Sequence, residues 1–185
     1  DDLHFLTWEH PLVRETIDVV YNSELGNAAV ALINQKSIKP GTLLIEALFN
    51  ADCAAPKRLQ IGRYLDQQPI RYLITLDGRD LSDAIGCEAF TRLLKPISIT
   101  QSAGVVRELR TKISAALTRL EGRAAERVSS LRDAATSMIS KELNSEATRL
   151  EALGSRNGSV RDDEVAMIKQ IQKDSLEAVT RAEAK

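Results

Sequence analysis

Apolar residues recur at steps of three and four along residues 100–153, which is the period of an α-helix with one buried face. The members of this apolar stripe are Val106, Leu109, Ile113, Ala116, Leu120, Ala124, Val128, Leu131, Ala135 and Met138. The stretch has no proline, and its only glycines are Gly104 and Gly122. Unbroken, a helix of this length would reach roughly 80 Å at 1.5 Å per residue. We therefore expect either a break near Gly122 or an arm that needs a partner.

A second, shorter helix follows and can supply that partner. Residues 154–159 have the composition of a turn, and the acidic run at 162–164 suits the positive end of a helix. Apolar residues then return at helical spacing. We predict an antiparallel hairpin over residues 131–185. Its contacts are predicted between two sets of residues, Leu143, Leu150 and Leu153 on the first helix and Val165, Ile168 and Leu176 on the second.

The first half of the chain has the alternation of β-strands. Residues 42–51 are apolar on both faces, with Ile45 and Phe49 on one side and Leu44 and Leu48 on the other, which is typical of a strand inside a sheet. Residues 70–76 alternate well, and Asp77-Gly78 is a hairpin turn signal before a return strand at 79–81. Weaker strands are predicted at 28–33 and 58–64. Short helices are predicted at 11–21, burying Leu12, Ile17 and Val20, and at 88–94.

These elements predict an α+β fold. It consists of a small, mostly antiparallel sheet of four or five strands with short helices, followed by a long helix and an antiparallel helical hairpin. We predict an α/β sheet subdomain at residues 1–98 and a long helical arm or hairpin at residues 99–185 that packs on the sheet. The sheet's apolar face should be covered by the beginning of the long helix, around Val106, Leu109 and Ile113.

Composition narrows the class of protein. The chain has 185 residues, of which 43% are hydrophobic and 4% aromatic, so we expect an aliphatic core. A net charge of −1 argues against an overall nucleic-acid footprint. Cys53 and Cys87 lack the spacing of a zinc site or a disulfide framework, which favours a reducing cytosol. No apolar run approaches the ~18 residues that span a bilayer. We expect a cytoplasmic protein without a membrane partner, and we expect a fragment because the chain starts without Met.

The sequence predicts no catalytic, cofactor-binding or metal site. His4 and His10 could form a metal pair, but packing or capping explains them better. Cys53 has the setting of a buried structural thiol. The acidic run at 162–164 is better explained as helix capping than as a metal cluster. No glycine-rich phosphate loop occurs.

One charged feature stands out on the long helix. Between residues 99 and 132 there are seven basic residues against three acidic ones. Lys112, Arg119, Arg123 and Arg127 fall within about 80° of one another on a helical wheel, beside the apolar stripe. This basic row is the candidate contact surface for nucleic acid or for an acidic partner surface. A solvated helix face is the alternative interpretation, because Glu108 and Glu126 dilute the row.

Six segments of the chain carry a resemblance to a known family. They are DDLHFLTWEHPLVR at 1–14, GTLLIE at 41–46, APKRLQ at 55–60, PIR at 69–71, RLEAL at 149–153 and RDDE at 161–164. These segments resemble the C-terminal region of the bacterial RapA family of RNA polymerase recycling factors. The resemblance covers nearly the whole chain in register. The opening segment is the most specific, whereas the helical segments alone would be weak.

The resemblance implies a function. Members of this family are Snf2-type ATPases, helicase-like hydrolases that bind RNA polymerase core or holoenzyme. They use ATP hydrolysis to remodel post-transcription complexes, and so recycle polymerase and stimulate transcription. Their ATP and Mg sites lie in two upstream lobes, and none of those motif residues occurs here. The resemblance therefore implies a non-catalytic C-terminal module without a cofactor, with DNA contacts possible through the parent protein.

Two other functions are weighed against this one. The chain could be a purely structural or oligomerising module whose helical arm self-associates. It could also be an independent enzyme, but the sequence shows no cluster of histidines, cysteines or paired carboxylates that would support one. Binding to polymerase or DNA, as opposed to self-association alone, distinguishes the first two.

Overall fold

The computed structural model describes residues 7, 10–22, 28–156 and 162–185. The helices are α1 (Pro11–Asn22), α2 (Cys87–Leu93), α3 (Ile99–Arg156) and α4 (Asp162–Thr180), with 3₁₀ turns at Lys57–Leu59 and Ile61–Arg63. The strands are β1 (Ala31–Ile33), β2 (Leu44–Phe49), β3 (Ala51–Asp52), β4 (Ile70–Thr75), β5 (Leu94–Pro96) and β6 (Glu183–Ala184). His4, the side chain of Val20 and residues 157–159 of the predicted turn lie outside the described part.

The α+β class is confirmed, but the sheet differs from the predicted one. The described strands form three separate antiparallel pairs, β1 with β5, β2 with β4 and β3 with β6, and not one sheet of four or five strands. The pairs β1–β5 and β3–β6 join segments far apart in the sequence. Their short strands carry little alternation, so sequence pattern could not show that they pair separately.

The chain divides into two compact units. Unit 1 draws on Asp1–Lys39 and Cys87–Glu108, and unit 2 on Pro40–Gly86 and Leu109–Lys185. The predicted limits, a sheet subdomain at 1–98 and a helical arm at 99–185 that packs on it, stay a prediction. In unit 1, α1 exposes Leu12 and Ile17, so their predicted burial is wrong. No element in the described part of the chain covers these two residues of α1.

Within the described residues, no helix combines the length and apolar content needed to cross a membrane.

The antiparallel pair of β2 and β4 is the centre of unit 2; together with the return segment up to Ser82 we call it the hairpin. The sequence predicted both strands and the turn after β4, but not that β2 pairs with β4. The two strands pair from Leu44 opposite Thr75 to Phe49 opposite Ile70. At the predicted turn, Gly78 has φ of +96°, a conformation that favours glycine. The predicted return strand is reduced to a single bridge between Ile74 and Asp80.

Residues 58–64 do not form the weak strand that we predicted. They form the two 3₁₀ turns, separated by Gln60 in a left-handed conformation. The backbone N–H of Leu65 donates to the carbonyl of Ile61 at 2.9 Å, so these apolar residues follow a helical step of four. Leu59, Ile61 and Leu65 can then all point into one core.

The long helix α3 is continuous through Gly122, so the predicted break is absent. Gly costs about 1 kcal/mol relative to Ala inside a helix, which tertiary packing on both sides of Gly122 outweighs. Leu120 and Ala124, the nearest stripe residues, are both buried.

The buried face of α3 changes partner along its length. Ala116 and Leu120 pack with Ile74 of the hairpin in what we call the sheet-side cluster, so the sheet is covered further along the helix than predicted, and Val106 is exposed. Further on, α3 contributes Val128, Ala135 and Ile139 to the helix-side cluster, together with Ala178, Val179 and Ala182 of the α4 region.

This change of partner rotates the buried stripe around the helix. Ile139 is 0% exposed, whereas Met138, which we predicted in the stripe, is 46% exposed. A stripe that follows one partner would have continued through Met138, but α4 approaches α3 from a different side than the hairpin does.

The predicted antiparallel packing of α4 on α3 is present. Lys169 bonds to Glu151 at 2.9 Å, Gln172 to Asn144 at 2.9 Å, and Arg132 to the carbonyl oxygen of Thr180 at 3.1 Å. Residue numbers rise on α4 as they fall on α3. The predicted Leu143 and Leu176 flank the helix-side cluster, but Leu153 is exposed.

Helix α4 ends earlier than predicted. It stops at Thr180, and the following residues form β6 rather than further helix. Strand β5 was also missed, since Pro96 has no backbone N–H and reads as a strand breaker.

Candidate interface on the long helix

The four residues of the basic row lie on the part of α3 that belongs to unit 2. They are Lys112, Arg119, Arg123 and Arg127, and all four are exposed. The orientation of α3 is fixed here because Ala116 and Leu120 are buried against the hairpin. Residues four apart on a helix lie on one side, so Arg119, Arg123 and Arg127 follow one another along the edge of this buried face.

Arg123 is tied to the hairpin by three contacts. Its guanidinium carbon lies 4.5 Å from the centroid of the Tyr72 ring. Its Nη2 donates to Oδ2 of Asp80 at 2.6 Å, a charge-assisted hydrogen bond. The Tyr72 hydroxyl donates to the backbone carbonyl of Arg123 at 3.2 Å. The positive charge of Arg123 therefore has an internal partner.

Asp80 is held as a carboxylate by a short network. The Ser82 hydroxyl donates to Asp80 Oδ1 at 2.6 Å, and the Ser82 N–H donates to the same oxygen at 2.9 Å. The Ser82 hydroxyl also accepts from the backbone N–H of Leu73 at 2.9 Å. These bonds from Ser82, and then the bond from Arg123, lower the pKa of Asp80 to about 2. The network links the backbone of β4 to the guanidinium on α3.

Arg119 lies close to the turn at Gly78. Its Nε donates to the carbonyl of Ala115 at 3.3 Å. A Cβ atom added to Gly78 would lie 3.5 Å from Arg119 Nη1, so the guanidinium lies close to the turn. Glycine suits the left-handed backbone at this point, whereas a Cβ there would only make ordinary van der Waals contact with Arg119.

Lys112 and Arg127 differ from the other two members of the row in their polar contacts. Within the described residues, neither one makes a hydrogen bond or an ion pair. In the structure, Arg123 is bonded to Asp80 and Arg119 lies close to the turn at Gly78. Lys112 and Arg127 are exposed. The role of the row as a contact surface stays a prediction.

Sequence reasoning did not identify Tyr72, Asp80 and Ser82 as neighbours of the row. The turn signal at Asp77-Gly78 was the available clue, because a return segment after that turn must pass alongside β4. Only the packing of α3 on the hairpin shows that Asp80 meets Arg123.

The chemistry available at this surface is electrostatic contact. No group of three or more histidine, cysteine or acidic side chains in the described part of the chain could hold a metal ion. A separate cleft of about 330 Å³ lies on another side of α3, lined by residues that include Phe49, Ala125, Val128 and Ala184. It contains no residue of the basic row.

Comparison with known protein families gives a match over the whole chain. The model of the RNA polymerase recycling family, C-terminal, matches residues 1–185.

Individual relatives agree with that match. The chain is 36% identical over 173 residues to the RNA polymerase-associated protein RapA of Photobacterium profundum, which covers 93% of the chain and 18% of that protein. It is 34% identical over 183 residues to RapA of Vibrio cholerae, covering 99% of the chain and 19% of the relative. It is 32% identical over 182 residues to RapA of Klebsiella pneumoniae, covering 98% and 19%. The chain spans about a fifth of the length of these curated relatives.

Proposed function

The chain belongs to the RNA polymerase recycling family and corresponds to its C-terminal domain, and from this premise we propose that it is a non-catalytic module of an ATP-dependent polymerase recycling factor. The observation that supports this role is the family match over all 185 residues, with relatives named for their association with RNA polymerase. In this role the chain helps a larger Snf2-type ATPase to remodel post-transcription complexes. The motor lobes of that larger protein bind ATP and Mg and carry out the hydrolysis.

The contribution of this module is contact with the transcription complex. The basic row is the surface we assign to it, facing either nucleic-acid phosphates or an acidic surface of polymerase. Lys112 and Arg127 are exposed, and Arg119 sits beside the turn. Because Ala116 and Leu120 are buried against the hairpin, α3 has a fixed orientation in unit 2, and the cations of the row lie on one side of it.

A second candidate function is self-association. Several apolar residues of unit 1 are exposed, including Leu12 on α1 and Leu32 on β1. Such residues could be covered by another copy of the chain. A chain that only self-associates would form a dimer or larger species and would not retain polymerase.

A pull-down of core RNA polymerase with the 185-residue chain tests the proposed function. We expect retention of polymerase that falls as salt rises, because screening weakens contacts between exposed charges. Light scattering on the same preparation detects self-association. A chain that self-associates and retains no polymerase would contradict the proposed role and favour the structural one.

The basic row is tested by reversing two charges. We choose Arg119→Glu with Arg127→Glu, since reversing Arg123 would also break its bond to Asp80 and confuse binding with stability. If the row contacts phosphates, the double variant should weaken DNA binding and flatten its salt dependence by roughly one unit of slope per lost contact. Lys141→Glu with Lys173→Glu, at two exposed lysines outside the row, is the matched control for net charge.

Comparing polymerase retention with DNA binding identifies the partner of the basic row. Loss of polymerase retention with unchanged DNA binding would assign the row to an acidic protein surface. If both kinds of binding equal those of the control variant, the row is only a solvated face and our assignment is wrong.

A further inference from the structure

Arg123 differs from the rest of the basic row because a carboxylate lies directly beside it. Its Nη2 is 2.6 Å from Oδ2 of Asp80, the only ion pair that a member of the row makes within the described residues. Asp80 is fixed in turn by two hydrogen bonds from Ser82. The positive charge of Arg123 is therefore largely balanced, and this residue attracts a second anion only weakly.

The Arg123 side chain still offers a flat surface. A guanidinium is planar, with its N–H donors along the edge and two open faces. Tyr72 lies against one face, with 4.5 Å between the ring centroid and the guanidinium carbon, and Asp80 takes part of the edge. The side chain is nevertheless 46% exposed, so the second face is the part that a ligand can reach.

This flat surface is held in place from below. The Tyr72 hydroxyl donates to the backbone carbonyl of Arg123 at 3.2 Å, and Phe49 meets the same ring edge to face at 6.2 Å. The ring is thus positioned by both α3 and β2, and the guanidinium rests on it. A surface that is ordered before binding loses less conformational entropy when a ligand binds.

Cations lie one helical turn away on each side of Arg123. Arg119 and Arg127 are four residues before and after it, which is about 6 Å in each direction along the helix axis. Both side chains are exposed, and neither makes an ion pair with any residue that the structure describes. Along this edge of α3 the surface is therefore positive, then flat with a balanced charge, then positive again.

We propose that Arg123, supported by Tyr72, is a stacking platform for one base of a single-stranded nucleic acid, with the phosphates on either side of that base contacting Arg119 and Arg127. The inference rests on the proposed function of the basic row and names the class of its partner. Unstacked bases pack on arginine planes as well as on aromatic rings. Every base has a π-face, so the platform accepts a strand of any sequence.

Two other partners use this surface less fully. In a duplex the faces of the bases are already stacked on their neighbours, so a duplex would contact only the cations. An acidic protein surface would place carboxylates along the row, where they would meet the charge of Asp80 beside Arg123. Glu126, three residues after Arg123, adds a further negative charge near the row.

Oligonucleotide binding to the 185-residue chain tests the platform. The probes are a short fluorescein-labelled oligothymidylate, an abasic strand of the same length and a duplex of that length, compared by anisotropy at one salt concentration. The first two carry the same number of phosphates, so the difference between them measures the contribution of the bases. We expect the oligothymidylate to bind about tenfold or more tighter than the abasic strand, and tighter than the duplex.

The substitution Arg123→Lys locates the platform on the chain. It keeps a positive charge beside Asp80 but removes the planar face. The preference for the oligothymidylate over the abasic strand should fall to within about twofold, whereas the salt dependence should stay the same because the number of cations is unchanged. A purely structural role of Arg123 would weaken the binding of both strands equally.

The matched control is Arg149→Lys, the same substitution at another exposed arginine of α3 that forms an ion pair, here with Glu146 at 2.6 Å. It lies outside the row and should leave the preference unchanged. Melting temperatures equal to that of the wild type show that both variants are folded.

Several results would overturn the platform. Equal binding of the oligothymidylate and the abasic strand would do so and would leave only phosphate contacts to the row. A preference that Arg123→Lys retains, or a duplex that binds as tightly as the single strand, would also refute it. Retention of polymerase without oligonucleotide binding would refute it in favour of an acidic protein surface. Absence of both kinds of binding would contradict the proposed function as well.

Discussion

The guanidinium of Arg123 lies over the ring of Tyr72, with 4.5 Å between its central carbon and the ring centroid. The same ring meets Phe49 edge to face, with 6.2 Å between centroids. Tyr72 therefore joins the apolar sheet-side cluster to the charged edge of α3. One side chain on β4 couples the packing of the core to the orientation of the basic row.

Removing that ring should destabilise unit 2. Tyr72→Ala loses half-buried aromatic surface and the contact with Arg123, and we expect a loss of about 2–3 kcal/mol in the free energy of unfolding, less than for a fully buried ring. Tyr72→Phe removes only the hydroxyl bond to the Arg123 carbonyl and should cost about 0.5–1.5 kcal/mol. Urea denaturation measures both.

A double-mutant cycle isolates the contact itself. Tyr72→Ala and Arg123→Ala, singly and together, should give a coupling energy of about 0.5–1 kcal/mol. Strict additivity would mean that the ring and the guanidinium are neighbours without an energetic interaction.

Asp80 should contribute to the acid sensitivity of the protein. Its pKa is lowered to about 2 in the folded state, against about 3.9 for an unfolded aspartate. The unfolded chain binds the proton first as pH falls, so the stabilisation is fully present above about pH 4 and is lost as pH falls through about 2. Wild-type stability should therefore drop over this range by more than that of Asp80→Asn, as measured by urea midpoints.

The control for Asp80 is Asp133→Asn, which removes an exposed carboxylate on α3 outside this network. Its acid profile should follow the wild type. If Asp80→Asn also follows the wild type, then the bonds from Ser82 and Arg123 do not hold the carboxylate in solution.

Two adjacent residues of α3 test the rotation of its buried face. Ile139→Ala should cost about 2–5 kcal/mol because Ile139 is fully buried in the helix-side cluster. Met138→Ala should cost less than about 1 kcal/mol because Met138 is largely exposed. Thermal or urea unfolding distinguishes them, and the reverse order would restore the unrotated stripe that the sequence suggested.

The two cysteines should differ in reactivity. Burial, and then the neighbouring charge of Asp52, raise the pKa of the Cys53 thiol, and its Sγ donates to the Ala178 carbonyl at 3.2 Å. Cys87 is exposed. Because the thiolate is the reactive form, iodoacetamide at pH 7.5 should label Cys87 much faster than Cys53, as followed by mass spectrometry.

Unfolding in urea is the control for that comparison, and it should make the two rates similar. Fast labelling of Cys53 in the folded chain would contradict its half-buried position against α4.

The sequence by itself determined the elements that depend on interactions between nearby residues. The steps of three and four defined α3, and the acidic residues at 162–164 marked the beginning of α4. Alternation defined β4, and Asp77-Gly78 placed its turn, since φ of +96° at Gly78 suits glycine at that position. The basic row also followed from spacing alone. Each of these signals lies within a few residues of the feature that it specifies.

The tertiary structure decided whatever depends on residues far apart in the chain. Ile139 rather than Met138 is buried because α4, and not the hairpin, faces that part of α3. Leu48 is exposed because α3 covers the other face of β2, the one that carries Ile45 and Phe49. Arg123 differs from its neighbours in the row because Asp80, 43 residues away, meets it at 2.6 Å. A helical period shows which residues share a face, but only the approach of a second element determines which part of that face is buried, paired or left in solvent.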